Sequence, residues 1–296
     1  MKSNKESILR QQEEIAKPGH LLCPGCPGGI IWRIVTKVLG QSSICVHSAS
    51  CLGLPVMMYP SCLTIPTLYV SFASASAAIS GVSSALKSLK NSGVLDEKVN
   101  LFVLAGDGGT ADIGFASLSG AAERNEDIIY FCVDNEAYMN TGIQRSSQTP
   151  TGTWTTSTPL GKVESKKDMP AIMAAHKIPY MATVSVSYPQ DMIEKITKAR
   201  DLGKGFKYIH IHSPCPTGWR FPENLSIEVG RLAVETGMFR LLEVENGGES
   251  IVTYKPEPRK PVKDYLAVQG RFGQLGENEI DIIQENINTI CGKLGF

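Results

Sequence analysis

Short continuous apolar runs, each ending at Gly, Asp or Ser, recur along the chain and predict buried strands at 43–48, 100–105, 128–133, 180–185 and 207–212. Helical patterns lie between and around them, at 30–39, 72–89, 113–125, 168–176 and 189–202. The 72–89 pattern is rich in Ser and Ala, which suits close packing against another helix or a subunit. Strand and helix alternate, so the expected fold class is α/β, with a mainly parallel sheet flanked by helices.

Other stretches break the alternation. Residues 1–18 are polar and read as an arm or a partly exposed first helix, while 52–66, with three prolines and two methionines, reads as irregular pocket lining. Residues 144–161 form a long loop rich in Thr, Ser, Gly and Pro, which in a compact domain is either functional or disordered. Beyond 222 the pattern weakens: the proline and lysine cluster at 254–263 reads as an extended arm and 277–294 as a closing helix. The expected division is an arm at 1–18, an α/β domain at 19–221 and an extension at 222–296 packed on the domain or on a partner. There is no internal repeat.

Composition narrows the class. The 296 residues suffice for a sizeable core, and 29 basic residues balance 29 acidic ones, giving no electrostatic case for nucleic acid or an anionic membrane surface. The N-terminus lacks the apolar core of a signal peptide, and no window has the length of a membrane span, so a soluble, cytoplasmic protein is expected.

The candidate chemistry sits at strand ends. The 100–105 strand runs into Gly106-Asp107-Gly108-Gly109, and an α/β sheet binds ligands at such carboxyl ends, where a turn poor in side chains lets main-chain N–H groups approach a diphosphate. Asp107 adds a hard oxygen ligand of the kind Mg²⁺ takes alongside phosphate oxygens. The 128–133 strand ends at Asp134-Asn135, and two neighbouring parallel strands would bring Asp107 and Asn135 to one sheet edge, where both could hold one metal. A Gly-Asp-Gly turn is common in loops; followed at this distance by Asp-Asn across a strand–helix–strand unit, it resembles the thiamine diphosphate (TPP) fingerprint.

Eight cysteines in an intracellular chain point to thiols or metal ligands rather than a disulfide framework. Cys23, Cys26, Cys51 and Cys215 each lie in a turn or beside Pro or Gly, Cys45 and Cys132 lie inside apolar strands, and Cys62 and Cys291 have no ligand-like context. The first four define a candidate thiolate site for an iron–sulfur cluster or a zinc ion, a lone redox or incidental C-x-x-C being the third reading.

Read together, CPGC, SASC, GDGGTADIG, DNEAYMNTGIQRS, KKDMPAIMAAHKIPY, YPQDMI and PCPTGW, spread over roughly residues 19–220, resemble the β subunit of the pyruvate:ferredoxin oxidoreductase (2-oxoacid:ferredoxin oxidoreductase) family. The resemblance implies a TPP-binding fold and oxidative decarboxylation of a 2-oxoacid, pyruvate first, with electrons leaving for ferredoxin and coenzyme A taking the acyl group. It implies that Cys23, Cys26, Cys51 and Cys215 bind the [4Fe-4S] cluster, and that Asp107, the Asn135 side chain and the Ala137 carbonyl hold Mg²⁺ against the diphosphate. The cofactor-binding set is then Gly106, Asp107, Gly108, Asn135, Ala137, Asn140, Thr141 and Cys51, with Asn140 the catalytic residue approaching the thiazolium. The chain departs from the pyruvate-type pattern at Leu52-Gly53-Leu54-Pro55 and Phe72-Ala73-Ser74-Ala75, which leaves oxalate, branched-chain and aryl 2-oxoacids open as substrates.

The glutamate that activates the aminopyrimidine ring has no evident place here: Glu136 and Glu123 flank the motif, and Glu123 falls at the far end of its helix. The resemblance implies that this glutamate, an arginine for the substrate carboxylate and the ferredoxin-type clusters come from partner subunits. Phe115 is a candidate pocket wall or core residue, and His47, His210 and His212 in strand-like runs read as core. Arg145, Ser146, Ser147 and Thr149 either meet the diphosphate or a partner, or belong to a solvated loop.

Overall fold

The computed structural model describes residues 14–296. Elements follow in the order α1 (Gly28–Leu39), β1 (Ser43–Ser48), α2 (Leu54–Met57), β2 (Thr67–Val70), α3 (Ala75–Asn91), β3 (Asn100–Gly106), α4 (Phe115–Glu123) and β4 (Ile129–Asp134). There follow α5 (Met169–Ala175), β5 (Tyr180–Ser185), α6 (Pro189–Asp201), β6 (Lys207–His212), α7 (Pro216–Trp219), α8 (Ser226–Glu235), β7 (Leu242–Glu245), β8 (Ile251–Val252), α9 (Val262–Ala267) and α10 (Glu277–Lys293). The strands form one sheet in the order β2-β1-β3-β4-β6-β5-β7-β8. Pairing is parallel from β2 to β5 and antiparallel for β7 and β8.

The central strands are buried at almost every position because both sheet faces are covered, and their side chains alternate between two cores. Phe102, Leu104, Phe131 and Ile209 point to the side covered by α1 and α6, with Trp32, Val35, Met192 and Ile196. Val103, Ala105, Cys132 and Tyr208 point to the other, with Ile79, Leu118 and Met173 of α3, α4 and α5. Such three-layer packing leaves the strands' carboxyl ends as the edge where loops converge.

The five expected strands and the helices between them are present. The helical pattern expected at 113–125 is preceded by a wide π turn, Gly109–Ile113, so the Gly-Asp-Gly segment winds directly into helix. The segment expected to be irregular, 52–66, opens with a 3-10 turn at Cys51–Gly53 and α2. Edge strand β2 carried no clear pattern because it is half exposed and follows prolines. The arm expected at 254–263 gives way at Val262 to α9. Residues 1–13 of the expected N-terminal arm lie outside the described residues, whereas Ile15 is buried and Ala16 bridges Leu63.

Beyond residue 221 the chain adds β7 and β8 to the sheet and builds a third apolar cluster, in which Val229, Leu241, Tyr265, Phe272 and Cys291 pack around Trp219. No helix among the described residues is long and apolar enough to cross a membrane.

Candidate metal and cofactor site

Gly106 of β3 pairs with Val133 of β4, so Asp107 and Asp134 stand side by side one residue further along. Asp107 is 1% exposed, and its Oδ2 accepts a 2.5 Å hydrogen bond from Ser146 Oγ. The Asn135 amide faces the Ala137 carbonyl at 2.9 Å and Asp107 Oδ1 at 3.1 Å. In the metal-free chain its NH₂ group donates to both. With its carbonyl turned to the same place, the amide oxygen faces a carboxylate oxygen and a main-chain carbonyl oxygen, a set of hard donors suited to a cation. Adjacent ligands of an octahedral Mg²⁺, each at ~2.1 Å, are ~2.9 Å apart, so the spacing fits.

Electrostatics divides the two aspartates. Burial pushes the Asp107 carboxyl well above the usual carboxylate range, and the neighbouring charge of Asp134 adds to it, more than the Ser146 hydrogen bond and the Lys166 charge recover. Burial acts on Asp134 too, but the Lys166 ammonium at 2.7 Å and His210 Nε2–H at 2.9 Å outweigh it and hold Asp134 ionised. Asp107 therefore stands as a buried acid short of positive charge, and a divalent cation would reverse its balance.

Gly108 is fixed by a ring rather than by its backbone angle. A Cβ there would lie 2.4 Å from the Tyr138 ring. That ring stacks on Phe72 at 5.5 Å, and its hydroxyl donates to Asp112 Oδ2 at 3.0 Å. The Gly106–Gly109 turn thus offers main chain on the side away from the ring, where a diphosphate can approach N–H groups.

Residues 134–137 are tied down from several directions. Glu136 takes a left-handed conformation (φ 64°), rare for a side chain of its kind. Its main-chain N–H donates to Asp134 Oδ1 at 2.9 Å and its carbonyl accepts from Thr149 Oγ1 at 2.6 Å. Its carboxylate is clasped by Lys166 at 2.7 Å and Arg271 at 2.6 Å. Burial raises the Glu136 carboxyl, and the charges of Lys166 and Arg271 more than offset this and keep it ionised. Glu136 is therefore committed to structure, and Glu123 lies exposed at the end of α4.

The 144–161 loop turns hydroxyls inward: Ser146 and Thr149 are buried, and Ser147 N–H donates to Asp112 Oδ2 at 3.1 Å, while Arg145 stays exposed. Asn140 and Thr141 sit at the exposed tip of a small hairpin closed by the Tyr138–Gln144 bridge. Phe115 packs half-buried against the core with Lys167 Nζ 5.2 Å above its ring. His47, His210 and His212 are buried.

The four candidate cysteines come from three stretches, the Cys23–Cys26 turn and the turns after β1 and β6. Cys51 opens the turn after β1, and its neighbour Ser50 lies against Gly106. Cys215 caps α7 after β6, accepting from Gly218 N–H at 3.3 Å, and Cys26 Sγ accepts from Gly28 N–H at 3.4 Å. The Cys23–Cys26 turn is clamped by the later chain: Ser226 Oγ donates to the Gly25 carbonyl at 2.6 Å, and Gly25 (φ 70°) leaves no room for a Cβ beside the Glu223 carbonyl, at 2.3 Å.

The thiols sense one another. Burial, then the charges of Cys215, Cys26 and Cys23, push the Cys51 thiol up to about 12, and burial with Cys26 and Cys23 pushes Cys215 up to about 11. Among the described residues, however, no three His, Cys, Asp or Glu side chains close on a point as ligands of a single ion do.

Lys166 and Arg271 were not legible beforehand. Lys166 opens the KKDMPAIMAAHKIPY motif, which assigned it no role, and Arg271 lies in a region without pattern.

Residues 41–211 match the family described as thiamine pyrophosphate enzyme, C-terminal TPP binding domain. Over 96% of its length the chain is 50% identical to a protein from Methanothermobacter marburgensis named pyruvate synthase subunit PorB, 98% of which is covered. It is 43% identical to a Pyrococcus horikoshii protein named ketoisovalerate oxidoreductase subunit VorB, over 92% of this chain and 90% of that one. Among solved structures, a chain of the 2-oxoglutarate:ferredoxin oxidoreductase from Magnetococcus marinus has the same fold, with a TM-score of 0.60, 18% identity, and coverage of 91% of this chain and 94% of that one.

Proposed function

Since the chain belongs to the β-subunit family of the 2-oxoacid:ferredoxin oxidoreductases, we propose that it is the TPP- and [4Fe-4S]-bearing subunit of a complex acting on pyruvate. The observation that carries this reading is the facing of Asp107, Asn135 and Ala137 oxygens at the shared end of β3 and β4. When bound, TPP supplies an electron sink for decarboxylation of a 2-oxoacid, and the cluster supplies an acceptor for single electrons.

This chain's own residues do the holding. Asp107, the Asn135 side-chain carbonyl and the Ala137 main-chain carbonyl would hold Mg²⁺, which would supply the positive charge that binds the diphosphate. Ser146 orients the Asp107 carboxylate, and Lys166 and His210 keep the Asp134 charge occupied elsewhere. Main-chain N–H groups of the Gly106–Gly109 turn approach the diphosphate. Cys23, Cys26, Cys51 and Cys215 bind the cluster, with Cys51 next to the strand end that carries Asp107. Asn140 and Thr141, at their exposed tip, face the substrate only once a partner subunit closes over this edge. Because Glu136 is held by Lys166 and Arg271, the glutamate for the aminopyrimidine and the arginine for the substrate carboxylate are assigned to that partner. The partner subunits also carry the onward clusters to ferredoxin, and coenzyme A accepts the acyl group.

Pyruvate is favoured because three relatives named for it reach 47–50% identity, against 42–43% for three named for ketoisovalerate, although a Pyrococcus horikoshii protein named for pyruvate is only 40% identical. The test is viologen reduction by the purified anaerobic complex with pyruvate, ketoisovalerate, oxalate and an aryl 2-oxoacid, each with and without coenzyme A. The highest kcat/KM belongs to pyruvate with coenzyme A, and the complex contains iron, sulfide and TPP. A higher kcat/KM for another acid overturns the substrate assignment, and a colourless complex that binds TPP without iron overturns the cluster assignment.

A further inference from the structure

The 222–296 segment reaches the metal edge through one side chain. Arg271 is 1% exposed, yet its guanidinium lies among groups from three separate parts of the chain. Nη2 donates to Glu136 Oε2 at 2.6 Å, Nε donates to Gln269 Oε1 at 2.9 Å, and the guanidinium carbon lies 3.7 Å from the centre of the Trp219 ring. Trp219 in turn donates its indole Nε1–H to the Asn135 carbonyl at 2.8 Å, and it ends the helix whose cap is Cys215. Arg271 thus grips residues 134–137 twice, through the Glu136 carboxylate and through the ring that bonds Asn135.

Both grips bear on a strained element. The left-handed Glu136 lies between the two residues that present the Asn135 amide and the Ala137 carbonyl, and a non-glycine residue persists there only where its surroundings over-determine it. Lysine in place of arginine keeps the charge but lacks the planar fork that meets Glu136 and Gln269 at once while stacking on an indole.

We propose that Arg271 is a positioning residue that holds the Asp134–Ala137 turn in its metal-binding shape and joins that turn, through Trp219, to the helix capped by Cys215. The proposal rests on the metal-site reading above. It adds a role for the last quarter of the chain, which supplies no Mg²⁺ or cluster ligand in that reading but sets the geometry of two Mg²⁺ ligands.

The experiment titrates Mg²⁺ into the metal-stripped complex at fixed TPP and follows retained TPP, with thermal midpoint and iron content measured in parallel. Arg271→Gln raises the half-saturating Mg²⁺ concentration by about tenfold or more, the usual cost of losing an outer support of a metal ligand, while iron content stays at the wild-type level. Arg271→Lys recovers part of that loss. Trp219→Phe keeps a ring for the guanidinium but removes the bond to the Asn135 carbonyl, and it shifts the titration in the same direction in a chain whose core volume is nearly conserved. Combined with Arg271→Gln it adds less than the sum of the two. Folded Arg271→Gln and Trp219→Phe complexes with wild-type Mg²⁺ dependence overturn the proposal; if Arg271→Gln fails to fold, an unshifted Trp219→Phe overturns it alone. Asp107→Asn is the reference: if it too leaves the Mg²⁺ titration unmoved, the metal site itself is misassigned, whereas a shift there with none at Arg271 and Trp219 rejects only the positioning role.

Discussion

Two carboxylates one residue beyond paired strand ends meet opposite fates because of what else reaches them. Asp134 receives Lys166 and His210 and stays charged as a structural anchor, whereas Asp107 receives only a neutral hydroxyl and a neutral amide. Asp107→Asn keeps the size and the bond from Ser146 but removes the charge, so Mg²⁺ affinity in the presence of TPP falls about 30-fold or more, equivalent to ~2 kcal/mol. Ser146→Ala removes a single hydrogen bond worth ~1 kcal/mol, and the fall is about fivefold. Calorimetric titration of Mg²⁺ into the TPP-saturated complex checks both, and equal effects at the two positions would contradict the division of labour. At this scale Asp107, Asn135 and the cysteines were legible as candidates, since metal ligands sit beside glycine and proline turns. Lys166 and Arg271 were not, because a lysine or arginine looks the same in sequence whether it is solvated or buried against a carboxylate.

The glycine turn and the hairpin at 138–144 work as one element. Tyr138 seals one side of Gly108 and cannot retreat, being stacked on Phe72 and bonded to Asp112. Gly108→Ala therefore costs ~1–3 kcal/mol through overpacking and weakens TPP binding. Thermal midpoint and TPP affinity measure the two effects, and adding Tyr138→Ala restores part of the thermal loss by making room for the new methyl group. If Gly108→Ala is neutral in both, the ring does not confine the turn. The central strands were readable because burial on both faces makes them short and mostly apolar. Strands β2, β7 and β8 were not, since short, partly exposed strands at or next to the sheet edges carry mixed patterns, and α8 and α9 were obscured by the glycines and prolines around them.

For the whole molecule, His47 and His212 couple the fold to acidity. Burial pushes each imidazole down to about 4, well below its ordinary 6.5. Between these values the unfolded chain binds protons that the folded chain refuses, so stability is full above about pH 6.5 and falls as the pH drops toward 4. Denaturant midpoints measured from pH 8 to pH 4 should be level at first and then decline. Replacing His212 by Gln should flatten part of the decline, and an unchanged slope would mean that the ring is not kept neutral. Local pattern placed both histidines in strands, and packing decided their charge, with Trp32 and Tyr69 around His47 and Trp219 and Phe239 around His212. By itself the sequence determined the α/β alternation, the motifs at the strand ends and the family, because each is written in short-range pattern and spacing. Tertiary structure alone decided that Glu136 is spent on Lys166 and Arg271, that Asp134 rather than Asp107 takes the ion pair with Lys166, and that the final quarter of the chain clamps both the Cys23–Cys26 turn and the Asn135 turn. Those outcomes depend on which charges and rings share a buried volume, and chain order does not encode that proximity.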